Sequence, residues 1–149
     1  MKKLIIAVLA FGGLMPFLST VAVAQVQVVG RANPERKPIM DALRPAAEKD
    51  LGPPVEFVVR TLNISGNFAY AEVEAQRKGG GRIDIARTPF GRSNTDALDF
   101  VDCCHIQSIL LKKNGRWVEI ERTAFATDYG MNPKWCRRMP RGFFGRACS

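Results

Sequence analysis

The four cysteines and the single histidine are the residues of this chain best suited to chemistry. Cys103, Cys104 and His105 follow one another directly, and Cys136 and Cys148 lie near the end of the chain. Thiolates and imidazole are good zinc ligands, but neighbouring residues of a strand point to opposite faces and do not easily converge on one ion. A nucleophilic cysteine with His105 as its base requires a free thiol. Because cysteines of an exported chain usually form disulfides, we predict no metal, no cofactor and no catalytic residue.

Four cysteines allow three disulfide pairings. A bond between the neighbours Cys103 and Cys104 would strain the backbone, so we expect each of them to pair with Cys136 or Cys148, in either order. Both orders would tie the C-terminal segment, residues 129–149, to the middle of the domain.

Acidic side chains offer a second route to chemistry. Asp96, Asp99 and Asp102 are spaced by three and would share one helix face, but their spacing matches no loop that wraps calcium. Glu119 and Glu121 alternate with apolar residues, which predicts that they line the solvent face of a strand. A solvated acidic face is the simpler interpretation of both sets.

The glycine run at 78–82 is a candidate phosphate cradle, since glycines leave backbone N–H groups accessible to an anion. The lysine–serine pair of a P-loop is missing, and no strand-to-helix context is evident. We therefore interpret this run as a flexible connection.

The C-terminal segment mixes basic with aromatic residues. Arginine pairs with carboxylate or phosphate groups, and aromatic rings supply contact area at interfaces. The alternative is that the rings complete a small core and the arginines only solvate it. The candidate binding residues are Lys134, Trp135, Arg137, Arg138, Arg141, Phe143, Phe144 and Arg146.

Residues 1–24 have the three parts of a cleavable secretory signal. Two lysines follow the first residue, 4–18 is almost wholly apolar, and the small residues at 22–24 predict cleavage before Gln25. A retained anchor is the alternative, but a spanning helix needs about 20 apolar residues, and this run is shorter and interrupted by glycine and proline. We expect a periplasmic or secreted protein without a transmembrane segment in its mature part.

Residues 25–149 are enough for a single domain with one modest core. The whole chain carries 22 Lys and Arg against 14 Asp and Glu, a formal net charge of +8. Such a balance favours anionic surroundings. The partners we expect are an acidic protein or an anionic envelope polymer, with no specific nucleic acid.

Apolar residues at helical spacing over 39–51 predict one helix, which ends at Gly52 and is either bent or divided at Pro45. Residues 55–64 and 68–76 are predicted to form a hairpin. A bulge is expected between Val59 and Leu62, where the apolar parity changes.

A second hairpin is predicted from 105–112 and 116–125, because Asn114-Gly115 is typical of a tight primed turn. The remaining segments are predicted as an edge strand or loose arm at 25–31, a short strand at 83–86, a loop at 88–94, one or two helical turns at 95–101, and an irregular tail at 129–149. The resulting fold is α+β: an N-terminal, kinked helix packed on a curved antiparallel sheet, with a disulfide-stapled C-terminal tail.

This order of elements resembles that of a group of small exported bacterial proteins of unknown function, and is loosely similar to cystatin-like and NTF2-like domains, which wrap a bent sheet around a helix. The likeness covers about residues 34–128 and implies fold rather than function. The segments that carry it are Ala-Leu-Arg-Pro at 42–45, Pro-Val-Glu-Phe-Val-Val at 54–59, Gly-Asn-Phe-Ala at 66–69 and Asn-Gly-Arg-Trp at 114–117.

Two functions follow from these patterns. The first is an exported, non-catalytic binding or inhibitory domain that uses the basic, aromatic tail. The alternative is a small hydrolase or isomerase with a pocket in the sheet, lined by acids such as Asp84 or Glu72. A buried carboxylate that faces a concave cavity would favour the enzyme, and a tail exposed beside a flat sheet face would favour binding.

Overall fold

Five strands form one antiparallel sheet in chain order in the computed structural model, which describes residues 24–127 and 130–148. The predicted signal peptide lies outside the described residues except for Ala24. Within the described part, no helix is long and apolar enough to cross a membrane. The strands are β1 (Gln27–Val28), β2 (Glu56–Ser65), β3 (Phe68–Gln76), β4 (His105–Lys113) and β5 (Arg116–Ala124).

One long helix, α1 (Arg36–Leu51), covers one face of this sheet. Its buried residues recur at helical spacing and include Ile39, Leu43 and Ala47. The helix continues through Pro45, so two separate helices are not formed; a bend there and the curvature of the sheet stay predictions. Gly52 ends the helix as predicted, with φ +75° and its N–H donating to the carbonyl of Glu48 at 2.8 Å.

The two predicted hairpins are confirmed. The register of β2 on β3 shifts between Val59 and Thr61, so Val59 and Leu62 both pack into the core on the α1 side. Asn114 and Gly115 have φ of 49° and 76°, as a primed turn requires. The first arm contributes only the two residues of β1, which pair with the end of β2.

Two segments differ from their predictions because side-chain caps form short helices there. Residues 83–86 are not a strand: the Asp84 carboxylate accepts from the N–H of Ala86 and starts a 3-10 turn, Ile85–Arg87. Residues 88–94 are not a loop: Thr88 caps α2 (Pro89–Ser93) by accepting from the N–H of Gly91 at 3.0 Å. Proline after a threonine cap was the signal for this helix. The predicted helical turn at 95–101 is a 3-10 helix, Thr95–Phe100.

A glycine is required where α2 packs against the 3-10 turn at Ile85–Arg87. A Cβ atom on Gly91 would lie 1.9 Å from the carbonyl oxygen of Ile85. The run at 78–82 is also ordered more than predicted, because Arg77 and Gly81 pair as an isolated bridge.

The tail is folded rather than irregular, and it covers the sheet face opposite α1. It contains α3 (Pro133–Arg138), which is capped by Asn132 and has Pro133 in its first turn. Its rings pack with two sheet residues to form what we call the second core: Tyr70, Ile109, Trp135, Phe143 and Phe144. The sheet is therefore buried on both faces over β3 and β4.

The disulfide pairing predicted from the sequence is wrong. Cys136 is bonded to Cys148, with 5.6 Å between their Cα atoms, and the sulfur atoms of Cys103 and Cys104 are bonded to each other. The physical reason is that Cys104 belongs to the core on the α1 side, whereas Cys136 lies in the tail on the other side of the sheet. The tail is thus closed on itself, and noncovalent contacts hold it to the sheet.

Disulfide mapping tests this arrangement. Proteolysis without reductant, followed by mass spectrometry, is expected to give a cross-linked pair of peptides containing Cys136 and Cys148. Because the bond closes a short loop, Cys136→Ser with Cys148→Ser should lower the free energy of unfolding by about 2–3 kcal/mol in urea titrations. A peptide that joins Cys103 or Cys104 to the tail would contradict the separation of the two layers.

Candidate functional site

The aromatic side chains of the tail are core residues. Phe143 is 0% exposed, Phe144 3% and Trp135 7%. Trp135 packs edge-on against Phe68 with 5.8 Å between ring centroids, and Phe144 packs against Tyr70 at 5.1 Å. These rings therefore supply cohesion between tail and sheet rather than contact area for a partner.

Polar contacts add to this attachment. The indole N–H of Trp135 donates to the Glu121 carboxylate on β5 at 2.7 Å, and the side-chain amide of Asn63 on β2 donates to the carbonyl of Phe143 at 2.9 Å. Burial raises the pKa of the Tyr70 hydroxyl, and the Glu72 carboxylate raises it further. Tyr70 therefore stays neutral within the second core.

The cations of the tail point to solvent. We call four of them the basic surface: Lys134, Arg137, Arg138 and Arg141, all exposed. The Arg138 guanidinium lies over the rings of Phe68 and Trp135, at 5.4 Å and 5.3 Å from their centroids, and the Lys134 ammonium lies 5.7 Å from that of Trp135. Ring contacts thus help to position two of these cations, Lys134 and Arg138.

The two glutamates of β5 are not on a solvent face, and that prediction is wrong. Glu119 accepts from the Ser108 hydroxyl at 2.5 Å and lies 3.8 Å from Arg122, while Val118 and Ile120 are the exposed residues. Burial raises the pKa of Glu119, an effect that the Ser108 hydroxyl and Arg122 oppose. The register shift within β5 and the cover on both sheet faces explain the inversion.

The predicted aspartates lie in the connection between β3 and β4. Asp96 and Asp99 are exposed on the 3-10 helix, and Asp84 caps the turn at Ile85–Arg87. Within the described part of the chain, no three His, Cys, Asp or Glu residues form a group that could hold a metal ion.

A row of polar side chains crosses the tail-facing side of the sheet. Thr61 on β2, Glu72 on β3 and Gln107 on β4 are register partners, which places their side chains side by side. The Thr61 hydroxyl donates to one Glu72 oxygen at 2.7 Å, and His105 Nε2 lies 3.2 Å from the other. His105 therefore has a carboxylate partner on the neighbouring strand.

This row is the floor of what we call the polar cleft, which has a volume of about 590 Å³. Its lining residues are Thr61, Glu72, Gln107, Gly145, Arg146 and Ala147. Glu72 keeps 26% of its side chain exposed, whereas His105 is 5% exposed and positions the carboxylate from behind. The sequence indicates Glu72 as a possible pocket acid but does not connect it with Thr61, His105 or Gln107.

The contact between tail and β5 makes stability depend on pH. Hydrogen bonds from Trp135 and Lys134 lower the pKa of Glu121. Since the folded pKa lies below the unfolded value of about 4.3, the stabilisation is complete above that value and is lost as the pH falls through the folded pKa.

We expect Glu121→Gln to lower the free energy of unfolding by about 1 kcal/mol at neutral pH. The difference from the unmodified protein should vanish in acid, below the folded pKa of Glu121. Urea titrations over a pH series measure it, with the exposed Asp99→Asn as the matched control. If the two proteins differ in free energy of unfolding by the same amount at every pH, the ionised Glu121 carboxylate does not stabilise the contact with the tail.

Comparisons of this chain with protein-family models, with curated proteins and with solved structures found no match. The similarity to cystatin-like and NTF2-like domains stays a prediction.

Proposed function

We propose that this chain is an exported, non-catalytic binding domain that acts in the periplasm or outside the cell. Its basic surface would bind an anionic partner, an acidic protein or an envelope polymer that carries carboxylate or phosphate groups. The composition of residues 1–24 supports export, and two disulfides suit an oxidising compartment.

The observation that carries the proposal is the uncompensated charge of the tail. Residues 130–148 contain five basic residues and no acid. In the part of the chain that the structure describes, Lys134 pairs with Glu121 at 3.0 Å, but Arg137, Arg138 and Arg141 take part in no ion pair. Such guanidinium groups attract carboxylates and phosphates, which they can bind through two parallel hydrogen bonds.

Arg138, one member of the basic surface, is also positioned by ring contacts before a partner arrives. Arg138 lies against two rings of the second core or its edge, and the bond between Cys136 and Cys148 closes the segment around it. Side chains that are already positioned lose less conformational entropy on binding. A cationic surface suits recognition of charge, whereas the burial of the tail's rings leaves little apolar area there for a hydrophobic partner.

One observation favours the alternative, a small hydrolase or isomerase. Glu72 and His105 form a carboxylate–imidazole pair beside a cleft, which is a common arrangement in acid–base catalysis. Binding remains the stronger proposal because His105 is buried behind Glu72, so only one titratable group of the pair opens to the cleft.

A charge-reversal experiment tests the basic surface. Replacing Arg137, Arg138 and Arg141 by Glu in residues 25–149 should weaken binding to polyglutamate and to polyphosphate by about tenfold or more, because the contact is electrostatic. Binding of the unmodified domain should also weaken as salt rises. Calorimetry or fluorescence anisotropy measures both effects, and the two polymers distinguish carboxylate from phosphate partners.

The matched control reverses three exposed cations elsewhere, Lys49, Lys78 and Lys113, and so changes the net charge equally. Equal loss in both variants would mean that only net charge matters and would contradict a localised surface. Equal binding by the tail variant and the unmodified domain would exclude the basic surface.

Export has its own test. When the whole chain is produced in a bacterial host, we expect the product outside the cytoplasm to begin at Gln25, because small residues precede that position. Intact-mass analysis of periplasmic and membrane fractions measures this. A product that keeps residues 1–24 in the membrane fraction would support the anchor instead.

A further inference from the structure

We propose that the polar cleft is a second binding site, one that takes a small zwitterion with an ammonium and a carboxylate on neighbouring atoms, as in an α-amino acid. The site is separate from the basic surface and does not depend on the proposed function. Its floor is the row of Thr61, Glu72 and Gln107, and its wall is the tail at 145–147.

The acceptor side of the site is Glu72. Its carboxylate is held by Thr61 at 2.7 Å and by His105 at 3.2 Å, yet part of it remains open to the cleft. Each carboxylate oxygen accepts two hydrogen bonds, so both retain a lone pair after these contacts. An ammonium group would supply the donors and the opposite charge.

The donor side is Gln107, directly across from Glu72. Gln107 is 2% exposed, and its Nε2 has no hydrogen-bond partner in the described part of the chain. It lies beside the Tyr70 hydroxyl and lowers the pKa of that group, but the two atoms do not reach hydrogen-bond geometry. A buried amide group without a partner is costly, and an acceptor on a ligand would remove that cost.

The charges at the cleft select the kind of ligand. Arg146 adds a cation on the wall, while Glu72 places an anion on the floor. A purely anionic ligand would be repelled by Glu72, and a purely cationic ligand would be repelled by Arg146. A ligand that carries both charges is complementary to both side chains. The lining residues include no aromatic ring against which a sugar would stack.

The tail packs closely against β2 at the edge of the polar cleft. Gly145 has φ +55°, and a Cβ atom at this position would lie 3.7 Å from the Thr61 hydroxyl. The tail therefore bounds the cleft on the side of β2. A volume of about 590 Å³ is within the range of small-molecule sites and exceeds what a single amino acid fills, so a larger side chain can be accommodated.

The test is a titration of the ¹⁵N-labelled domain, residues 25–149, with glycine, alanine, glutamate and lysine. We expect at least one of them, at about 1 mM or below, to shift the side-chain amide signals of Gln107. Two analogues serve as arms of the test: N-acetylation removes the ammonium and amidation removes the carboxylate. Each should weaken binding by about tenfold or more.

Substitutions in the polar cleft test the two charged side chains separately. Glu72→Gln and Arg146→Met should each weaken binding by about tenfold, whereas Glu74→Gln, two residues along the same strand and face, should change it less than about twofold. The variant with Arg137, Arg138 and Arg141 changed to Glu should bind the zwitterion normally, which separates this site from the basic surface.

Two outcomes would overturn the proposal: no shift of the Gln107 signals by any of the four amino acids, or an N-acetylated or amidated analogue that binds as tightly as the unmodified amino acid. If Glu72→Gln does not fold, the analogue series on the unmodified domain decides the question alone.

Discussion

The structure depends on the need to cover a second apolar sheet face. Tyr70 and Ile109 are register partners on the two central strands, and both point away from α1. Left in water, this pair of large side chains would expose apolar area worth roughly 1.5–3 kcal/mol per residue. The rings of Trp135, Phe143 and Phe144 cover it, so the path of the tail follows from what lies on the sheet.

That cover accounts for both candidate sites. The tail packs over Tyr70 and Ile109 but leaves the polar row at Thr61, Glu72 and Gln107 open along one side, and this edge forms the cleft. In α3, Trp135 points towards the sheet. Nearby residues of the same helix, such as Lys134 and Arg137, therefore point in other directions and reach solvent. The basic surface is thus the outer side of the segment whose inner side is the second core.

Elements with a regular local pattern could be predicted from the sequence. The parity change between Val59 and Leu62 gave a correct bulge, and Asn114-Gly115 gave a correct turn, because both signals involve residues close along the chain. The sequence also indicates that β4 is buried on both faces. Ile106 and Leu110 alternate onto one face of the strand, and Ile109 lies on the other. An apolar run with both parities is typical of a strand covered on both faces.

Contacts that join distant segments could not be predicted in this way. His105 meets Glu72, which is 33 residues earlier in the chain, only because β3 and β4 pair in one register. A shift of a single residue would turn Glu72 to the α1 side. The disulfides failed for a related reason: the spacing of cysteines along the chain does not reveal that the sheet separates Cys104 from Cys136.

The tail therefore has two separable properties. Its attachment depends on buried rings and on hydrogen bonds such as those from Trp135 to Glu121 and from Asn63 to Phe143. Its charge depends on arginines that make no ion pair with the described residues, such as Arg137 and Arg141. Surface cations of this kind contribute little to stability, so they can be exchanged while the second core stays intact. Their accumulation on an otherwise structural segment is then better explained by a partner than by folding.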